Sequence, residues 1–267
     1  MRPLPLIAIF LLAAALRAAD ELPPPELTEY YTPVPPVVAA PVGGIPSDAV
    51  VLFDGRTLNG WEPGRADSRM WRVEDGVMTV VAGKATPEET ARVAATPGRL
   101  PDLPNGGIRT QSAWGDVQLH VEFRCPAEVN GRGQGRGNSG IFLMGLYEVQ
   151  VLDSWENPTY VNGQLGSIYK QHAPLVNPAR PPGEWQVYDI VFVAPRFTAD
   201  GALASPARFT VFLNGVLVQH DVVLTGPTEY RGQPKYKAHA ARLPLELQAH
   251  GDPVSYRNIW IRELKLP

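Results

Sequence analysis

The chain has 267 residues, with 24 Lys+Arg against 27 Asp+Glu (formal net charge −3), an apolar fraction of 44% and a single cysteine. That apolar fraction excludes a wholly disordered chain. The acidic balance leaves nothing to neutralise a phosphate backbone, and one cysteine makes neither an internal disulfide nor a thiolate cluster for zinc. With 25 Gly, 28 Pro and only 19% charged residues, the composition points to a loop-rich, mostly β protein, long enough to bury a full core.

Residues 1–19 read MRPLPLIAIFLLAAALRAA, with Arg2 ahead of an apolar run from Leu4 to Leu16 and small residues at Ala18 and Ala19. This is a signal-peptide pattern, too short for a comfortable membrane span, with cleavage expected near Ala19. No other stretch is apolar for long enough to cross a bilayer, so the cleaved chain is expected off the membrane. An exported protein with only Cys125 needs no disulfide, which suits a bacterial periplasm. Residues 20–47 form a proline-rich arm (Pro23, Pro24, Pro25, Pro33, Pro35, Pro36, Pro41, Pro46), expected to be extended polyproline II. Tyr30, Tyr31 and Val34 favour an arm lying against the body, and residues 48–267 are expected to form one domain.

From Val50 onward, β-branched and aromatic runs alternate with turn residues, the spacing of a sandwich or barrel. Strands are predicted at Val50–Phe53, Trp71–Glu74, Val77–Val81, Val117–Arg124, Ser139–Leu143, Tyr147–Leu152, Gln186–Ala194, Arg208–Leu213, Val216–Val223, Leu245–His250 and Arg257–Lys265. Asp75-Gly76 and Asn214-Gly215 carry hairpin chemistry. The one helical segment expected is Thr86–Ala95, with Thr86 as its cap and Pro87 opening it.

Alternation then sorts the polar side chains. His120 and Glu122 share a face of their strand, as do Glu148 and Gln150 of theirs, and Glu246, Gln248 and His250 of a third. Solvated outer faces carry such residues, and so do the concave sheets of carbohydrate proteins. Strand parity sets Asp153 opposite Glu148 unless the strand end re-aims it. The glycine-rich GRGQGRG segment, Gly131 to Gly137, is not a phosphate loop, since neither Gly-Lys-Ser/Thr nor a helix follows. It reads as a mobile loop leading into Asn138. The long connection from Gly166 to Trp185 offers Tyr169, His172 and Trp185 for stacking on a sugar or bonding its hydroxyls. His250 ends its strand beside Gln248, and histidine is the natural general base near neutral pH.

At these residues the sequence resembles the 3-keto-disaccharide hydrolase family. The motifs are Val51-Leu52-Phe53-Asp54-Gly55 through Gly60-Trp61, Gly137-Asn138-Ser139-Gly140-Ile141-Phe142-Leu143, Tyr147-Glu148-Val149-Gln150-Val151-Leu152-Asp153-Ser154, Pro182-Gly183-Glu184-Trp185-Gln186 and Tyr256-Arg257-Asn258-Ile259. The resemblance covers roughly residues 48–266. It implies a jelly-roll β-sandwich of the concanavalin A-like lectin/glucanase type, acting on glycosides oxidised at C3 of glucose, by hydrolysis or elimination. Two positions depart from the family's pattern. An acidic residue often precedes the histidine where this chain has Ala249, and a small residue is common where it has Lys170.

The catalytic residues expected are His250 or Glu148 as base for the C2 proton, and Asp153 or Glu122 as acid for the leaving oxygen. Gln150, Asn138, Tyr169, Trp185, Gln248, His172 and Lys170 are expected to bind substrate. A divalent metal held by carboxylate and histidine could stabilise the enediolate, although no tight ligand motif is present. The rival reading is a non-catalytic carbohydrate-binding module, because the fold serves both uses. An ordinary endo-glucanase would place Glu, Asp and Glu on alternate positions of one strand. Glu148, Gln150 and Leu152 stand there instead.

Overall fold

The computed structural model describes residues 22–63, 71–81 and 107–266. The expected signal segment and the helix expected at Thr86–Ala95 lie outside these residues. No described helix is long and apolar enough to cross a membrane. The chain divides into two units, Met1–Val38 and Ala39–Pro267. The first is proline-dominated, and its described part holds one short 3-10 turn, Pro25–Thr28, opened by the proline that such a turn tolerates at its start.

The second unit is an antiparallel β-sandwich whose strands are β1 Val50–Phe53, β2 Trp61–Pro63, β3 Trp71–Glu74, β4 Val77–Val80, β5 Gly107–Trp114, β6 Val117–Arg124, β7 Ser139–Leu143, β8 Tyr147–Val151, β9 Gln186–Val193, β10 Arg196–Phe197, β11 Leu203–Ser205, β12 Arg208–Leu213, β13 Val216–Val223, β14 Leu243–Gln248 and β15 Ser255–Glu263. The larger sheet runs β13-β12-β9-β6-β15-β4-β3, with β1 also pairing β15; the smaller runs β2-β5-β14-β7-β8. The β10–β11 pair stands apart as a small ribbon. Both predicted hairpins form, with Asp75 and Gly76 at φ 51° and 77° and Asn214 and Gly215 at 53° and 78°. Both central residues of such a turn need positive φ, which matches its twist to that of the strands.

Alternate residues of the two sheets meet in one core. Leu119, Val121 and Phe123 of β6 interdigitate with Val149 and Val151 of β8 and Leu245 and Leu247 of β14, all fully buried. Buried hydroxyls of the core find partners within and across the layers. The Tyr188 hydroxyl donates to the Gln150 carbonyl at 2.7 Å, and Ser139 Oγ donates to the Gln248 carbonyl at 2.6 Å while sitting 2.6 Å from Tyr256 Oη. These bonds spare the buried tyrosines the cost of an unpaired hydroxyl. Cys125 is buried, its Sγ donating to the Gly137 carbonyl at 3.3 Å, and burial pushes its thiol far above the usual range.

The strands expected at Leu245–His250 and Arg257–Lys265 form two residues earlier, as Leu243–Gln248 and Ser255–Glu263. His250 therefore sits past the strand end, in the connection that carries Asp252.

Candidate active site

Register across the smaller sheet sets which side chains share its outer face. Glu62 of β2 pairs Arg109 of β5, Arg109 pairs Glu246 of β14, Glu246 pairs Phe142 of β7, and Phe142 pairs Glu148 of β8. The next row on that face holds Gln150 opposite Gly140 and Gln248 opposite Gly107. The glycines flank Gln248 and leave the sheet surface low, while Glu148 and Gln150 stand up from its edge strand. Above this floor lies a cavity of about 870 Å³, lined by Glu148, Gln150, Gln248 and His250 together with Asn138, Phe142, Tyr169 and Lys170.

Three segments wall the cavity. Residues 166–169 run along the free edge of β8: Gln150 N donates to the Ser167 carbonyl at 3.0 Å and Tyr169 N to the Glu148 carbonyl at 3.2 Å. This covers an otherwise open sheet edge and sets Tyr169 over Glu148. The connection between β13 and β14 arrives through Thr228, whose Oγ1 accepts from Glu148 N at 3.0 Å, and it carries Glu229, Tyr230 and Arg231 to the cavity. The 3-10 turn Gly133–Gly135 supplies Gln134, whose carbonyl accepts from Asn138 Nδ2 at 2.6 Å. Asp252 Oδ2 accepts from Asn138 N at 2.8 Å, which ties the His250 connection to the start of β7.

Glu148 is 4% exposed, and burial pushes its carboxyl up to about 8. At neutral pH it therefore holds a proton. The Gln150 side-chain amide packs on this carboxyl, its nitrogen donating to Glu148 Oε1 at 3.0 Å and to the Ser139 carbonyl at 3.3 Å. The carboxyl and the amide are thus coupled. His250 lies at the solvent-exposed lip, and desolvation lowers its pKa against the opposing charge of Asp252. Tyr169 and Tyr160 share a hydroxyl contact of 2.7 Å, and burial first, then mutual contact, keeps Tyr169 above the ordinary phenol range.

Four residues expected at the site lie elsewhere. Asp153 turns away past the end of β8, where its Oδ2 accepts from Arg136 Nε at 2.6 Å and its Oδ1 from Trp155 N at 3.1 Å. Glu122 sits on β6 of the other sheet. Burial would raise its carboxyl, but hydrogen bonds from Asn258 and Arg257 outweigh that and hold it below the usual range. A carboxylate kept ionised in the opposite layer cannot act as proton donor in this cavity. Trp185 packs against the guanidiniums of Arg124 and Arg257, which lie 4.7 and 4.0 Å from its ring centroid. His172 Nε2 reaches the Val223 carbonyl at 2.8 Å and does not line the cavity. Conversely, Gln134, Tyr160, Thr228, Glu229, Tyr230 and Arg231 line it without any periodic signal in the sequence.

Residues 48–262 match the profile of the 3-keto-alpha-glucoside-1,2-lyase-like domain. The chain belongs to this family. It is 46% identical to a protein from Parabacteroides distasonis ATCC 8503 assigned as a glycosyl hydrolase, over 90% of this chain and 97% of that one, with a TM-score of 0.76. A second structure from the same organism, with the same assignment, shares the fold at 19% identity and a TM-score of 0.54, covering 82% of this chain and 94% of that one. Among curated proteins none matches the chain. The fold is accordingly the jelly-roll sandwich that the motifs implied, and the family is one of carbohydrate-active enzymes.

The two departures from the family's pattern acquire a location within its domain. Ala249 is fully buried in the core cluster, so its substitution alters the wall behind the cavity rather than the cavity face. Lys170 sits at φ 61°, left-handed backbone that costs a long side chain more than a glycine and that is held here by four contacts of its ammonium. Among the described residues, no three His, Cys, Asp or Glu side chains come together as a ligand set for a metal ion.

Proposed function

We propose that this cavity cleaves glycosides carrying a keto group at C3 of the glucosyl ring, by removing the C2 proton and eliminating the C1 oxygen, with rehydration giving net hydrolysis. The observation that carries the reading is Glu148, a buried carboxyl held neutral at pH 7 in the same cavity as a histidine held neutral. Environments that push two titratable groups apart in this way assign an acid and a base. The C3 carbonyl acidifies the C2–H bond. His250 takes that proton, and the electron pair forms an enediolate over C2 and C3. Its collapse makes the C1=C2 bond and breaks the C1–O bond, and Glu148 gives its proton to the departing oxygen. The Gln150 amide nitrogen donates to the new carboxylate, stabilising the charge just created. Water added across C1=C2 completes hydrolysis, and solvent returns the His250 proton to Glu148. Asn138 and Gln248 are placed to bond ring hydroxyls.

The protein is proposed to be exported, on the strength of residues 1–19 and a fold whose one cysteine is buried and free. The test of activity is incubation of purified protein with 3-keto-trehalose or 3-keto-sucrose, with and without added divalent metals. Loss of glycoside with appearance of a conjugated enone or its hydrate is expected. Substrate left intact under both conditions, with sugar affinity retained, would instead identify a carbohydrate-binding module.

A further inference from the structure

Elimination through an enediolate puts negative charge on the C3 oxygen, and neither His250 nor Glu148 serves it: one takes the C2 proton and the other protonates the C1 oxygen. The remaining wall of the cavity must supply that partner. One lysine and one arginine line it, Lys170 and Arg231, and they differ in how they are held. Lys170 sits at the tip of a tight turn in which Gln171 N and His172 N donate to the Ile168 carbonyl at 2.8 and 2.9 Å, while Lys170 N donates to the Asn162 carbonyl at 2.7 Å. The next side chain, Gln171, clamps this turn to the β13–β14 connection, accepting from Thr225 N at 2.9 Å and donating to the Gly226 carbonyl at 3.0 Å. The head of Lys170 is fixed as well. Its Nζ donates to the Tyr230 carbonyl at 2.6 Å and lies 4.3 Å from the Tyr230 ring, 5.6 Å from Tyr169 and 5.8 Å from Tyr160. Ring faces hold a cation without the neutralising charge of a carboxylate, and among the described residues no carboxylate pairs with this ammonium. One of its three N–H groups is committed to a carbonyl, which leaves two for a ligand oxygen. Arg231, by contrast, is exposed and meets only the Tyr230 ring, at 5.6 Å, among the described residues.

We propose that Lys170 is a catalytic residue whose ammonium bonds the C3 oxygen of the keto ring and offsets the charge of the enediolate. The inference rests on the function proposed above. C1 and C3 are the two ring neighbours of C2, so the acid for one oxygen and the cation for the other stand side by side. Lys170 follows Tyr169, whose N donates to the Glu148 carbonyl at 3.2 Å. As His250 takes the C2 proton, the C2–H pair becomes the C2=C3 bond, the carbonyl pair moves onto the C3 oxygen, and the ammonium keeps its protons. A donor already fixed in place acts on that charge without reorganising. Position 170 departs from the family's pattern, so this electrophile belongs to the present chain rather than to the family at large.

Steady-state kinetics on wild type, Lys170→Met and Lys170→Arg should be compared with two substrates, 3-keto-trehalose and 4-nitrophenyl 3-keto-α-glucoside, whose leaving group needs no acid. Lys170→Met is expected to lower kcat by about 10²–10³-fold on both, the worth of one oxyanion donor, with KM changed by less than about threefold. Lys170→Arg should recover most of that loss. Lys170→Gln, neutral yet still a donor, should fall between the two, and it replaces Lys170→Met if that variant does not fold. A loss confined to 3-keto-trehalose would put the ammonium at the leaving oxygen, and a raised KM with unchanged kcat would make Lys170 a clamp on the wall; either overturns the inference. Exchange of the C2 proton in D2O, read by NMR, separates this from the function itself. Wild type that exchanges the proton without cleaving the glycoside refutes the elimination, and Lys170 is then decided by exchange alone: a fall of at least about tenfold in Lys170→Met sustains the electrophile, and an unchanged rate sinks it. Wild type that neither exchanges nor cleaves overturns both.

Discussion

Glu148 carries a linkage between protonation and stability. Its carboxyl is pushed up to about 8 in the folded protein, against 4.5 for an exposed glutamate. Below the lower value both states are protonated, and the group is neutral in its effect. As pH rises from there the unfolded chain ionises while the native one does not, so stability falls until the native carboxyl also ionises near 8. The penalty accumulated by then is about 4–5 kcal/mol. Glu148→Gln keeps the shape and the hydrogen bond but cannot ionise. Chemical denaturation should find the variant increasingly more stable than wild type between pH 5 and pH 8, and equal differences at both pH values would contradict the burial argument. The same variant should have no turnover. Wild-type kcat/KM should trace a bell, with an alkaline limb near 8 from Glu148 and an acid limb below the ordinary histidine range from His250. His250→Ala should remove activity while leaving the stability profile of Glu148 in place. Alternation alone placed Glu148 and Gln150 on one face, since period two is all that placement requires. The proton on Glu148 was not legible, because it arises from Tyr169, Thr228 and the Gly133–Gly135 turn closing over the strand.

At the scale of single strands, β7 shows how a missing side chain shapes the site. A Cβ at Gly140 would come within 2.6 Å of Glu148 Oε1 and 2.8 Å of Phe142 Cε2. Gly140→Ala should therefore displace the carboxyl from the Gln150 amide and reduce kcat by at least about tenfold, one kcal/mol-scale misplacement of an acid being enough for that. Unchanged kcat in a folded variant would show that the carboxyl position is not limiting. β8 and the hairpin strands were readable because apolar and polar residues alternate along them, or because Asn-Gly and Asp-Gly fix the turn, and β7 because a short apolar run follows a glycine-rich loop. β5, which completes the cavity floor with Gly107, was not anticipated. Its core-facing position 110 is a threonine rather than a hydrophobe, and Thr110 Oγ1 is satisfied inside by donating to the Ser112 carbonyl and accepting from Trp114 Nε1 and Leu245 N. A buried polar residue with three partners packs like an apolar one but breaks the pattern that marks a strand.

Across the whole molecule, the residues expected at one site divide between two layers and the ends of the sandwich. His120 and Glu122 alternate on β6 as Glu148 and Gln150 do on β8, and only strand order tells the two apart. Strand order depends on long-range pairing, which local periodicity does not encode. Likewise, the approach of Tyr230 to Lys170 joins residues sixty positions apart in sequence. Asp153 was drawn instead into a structural pair with Arg136, whose side chains are only 4% and 13% exposed. Arg136→Ala leaves a buried carboxylate without its cation and should cost about 3 kcal/mol in denaturant unfolding. Asp153→Asn should leave kcat essentially unchanged, since its side chain is outside the cavity; a large fall in kcat would return Asp153 to the chemistry.

The lone thiol of Cys125 has a consequence for handling the protein. Enclosed beside Gly137 and held far from its thiolate form, it is closed to alkylating reagents and to oxidation while the sandwich stays shut. The rate at which a maleimide labels this single position in the purified protein is therefore a clock for opening of the fold, read without any change to the sequence.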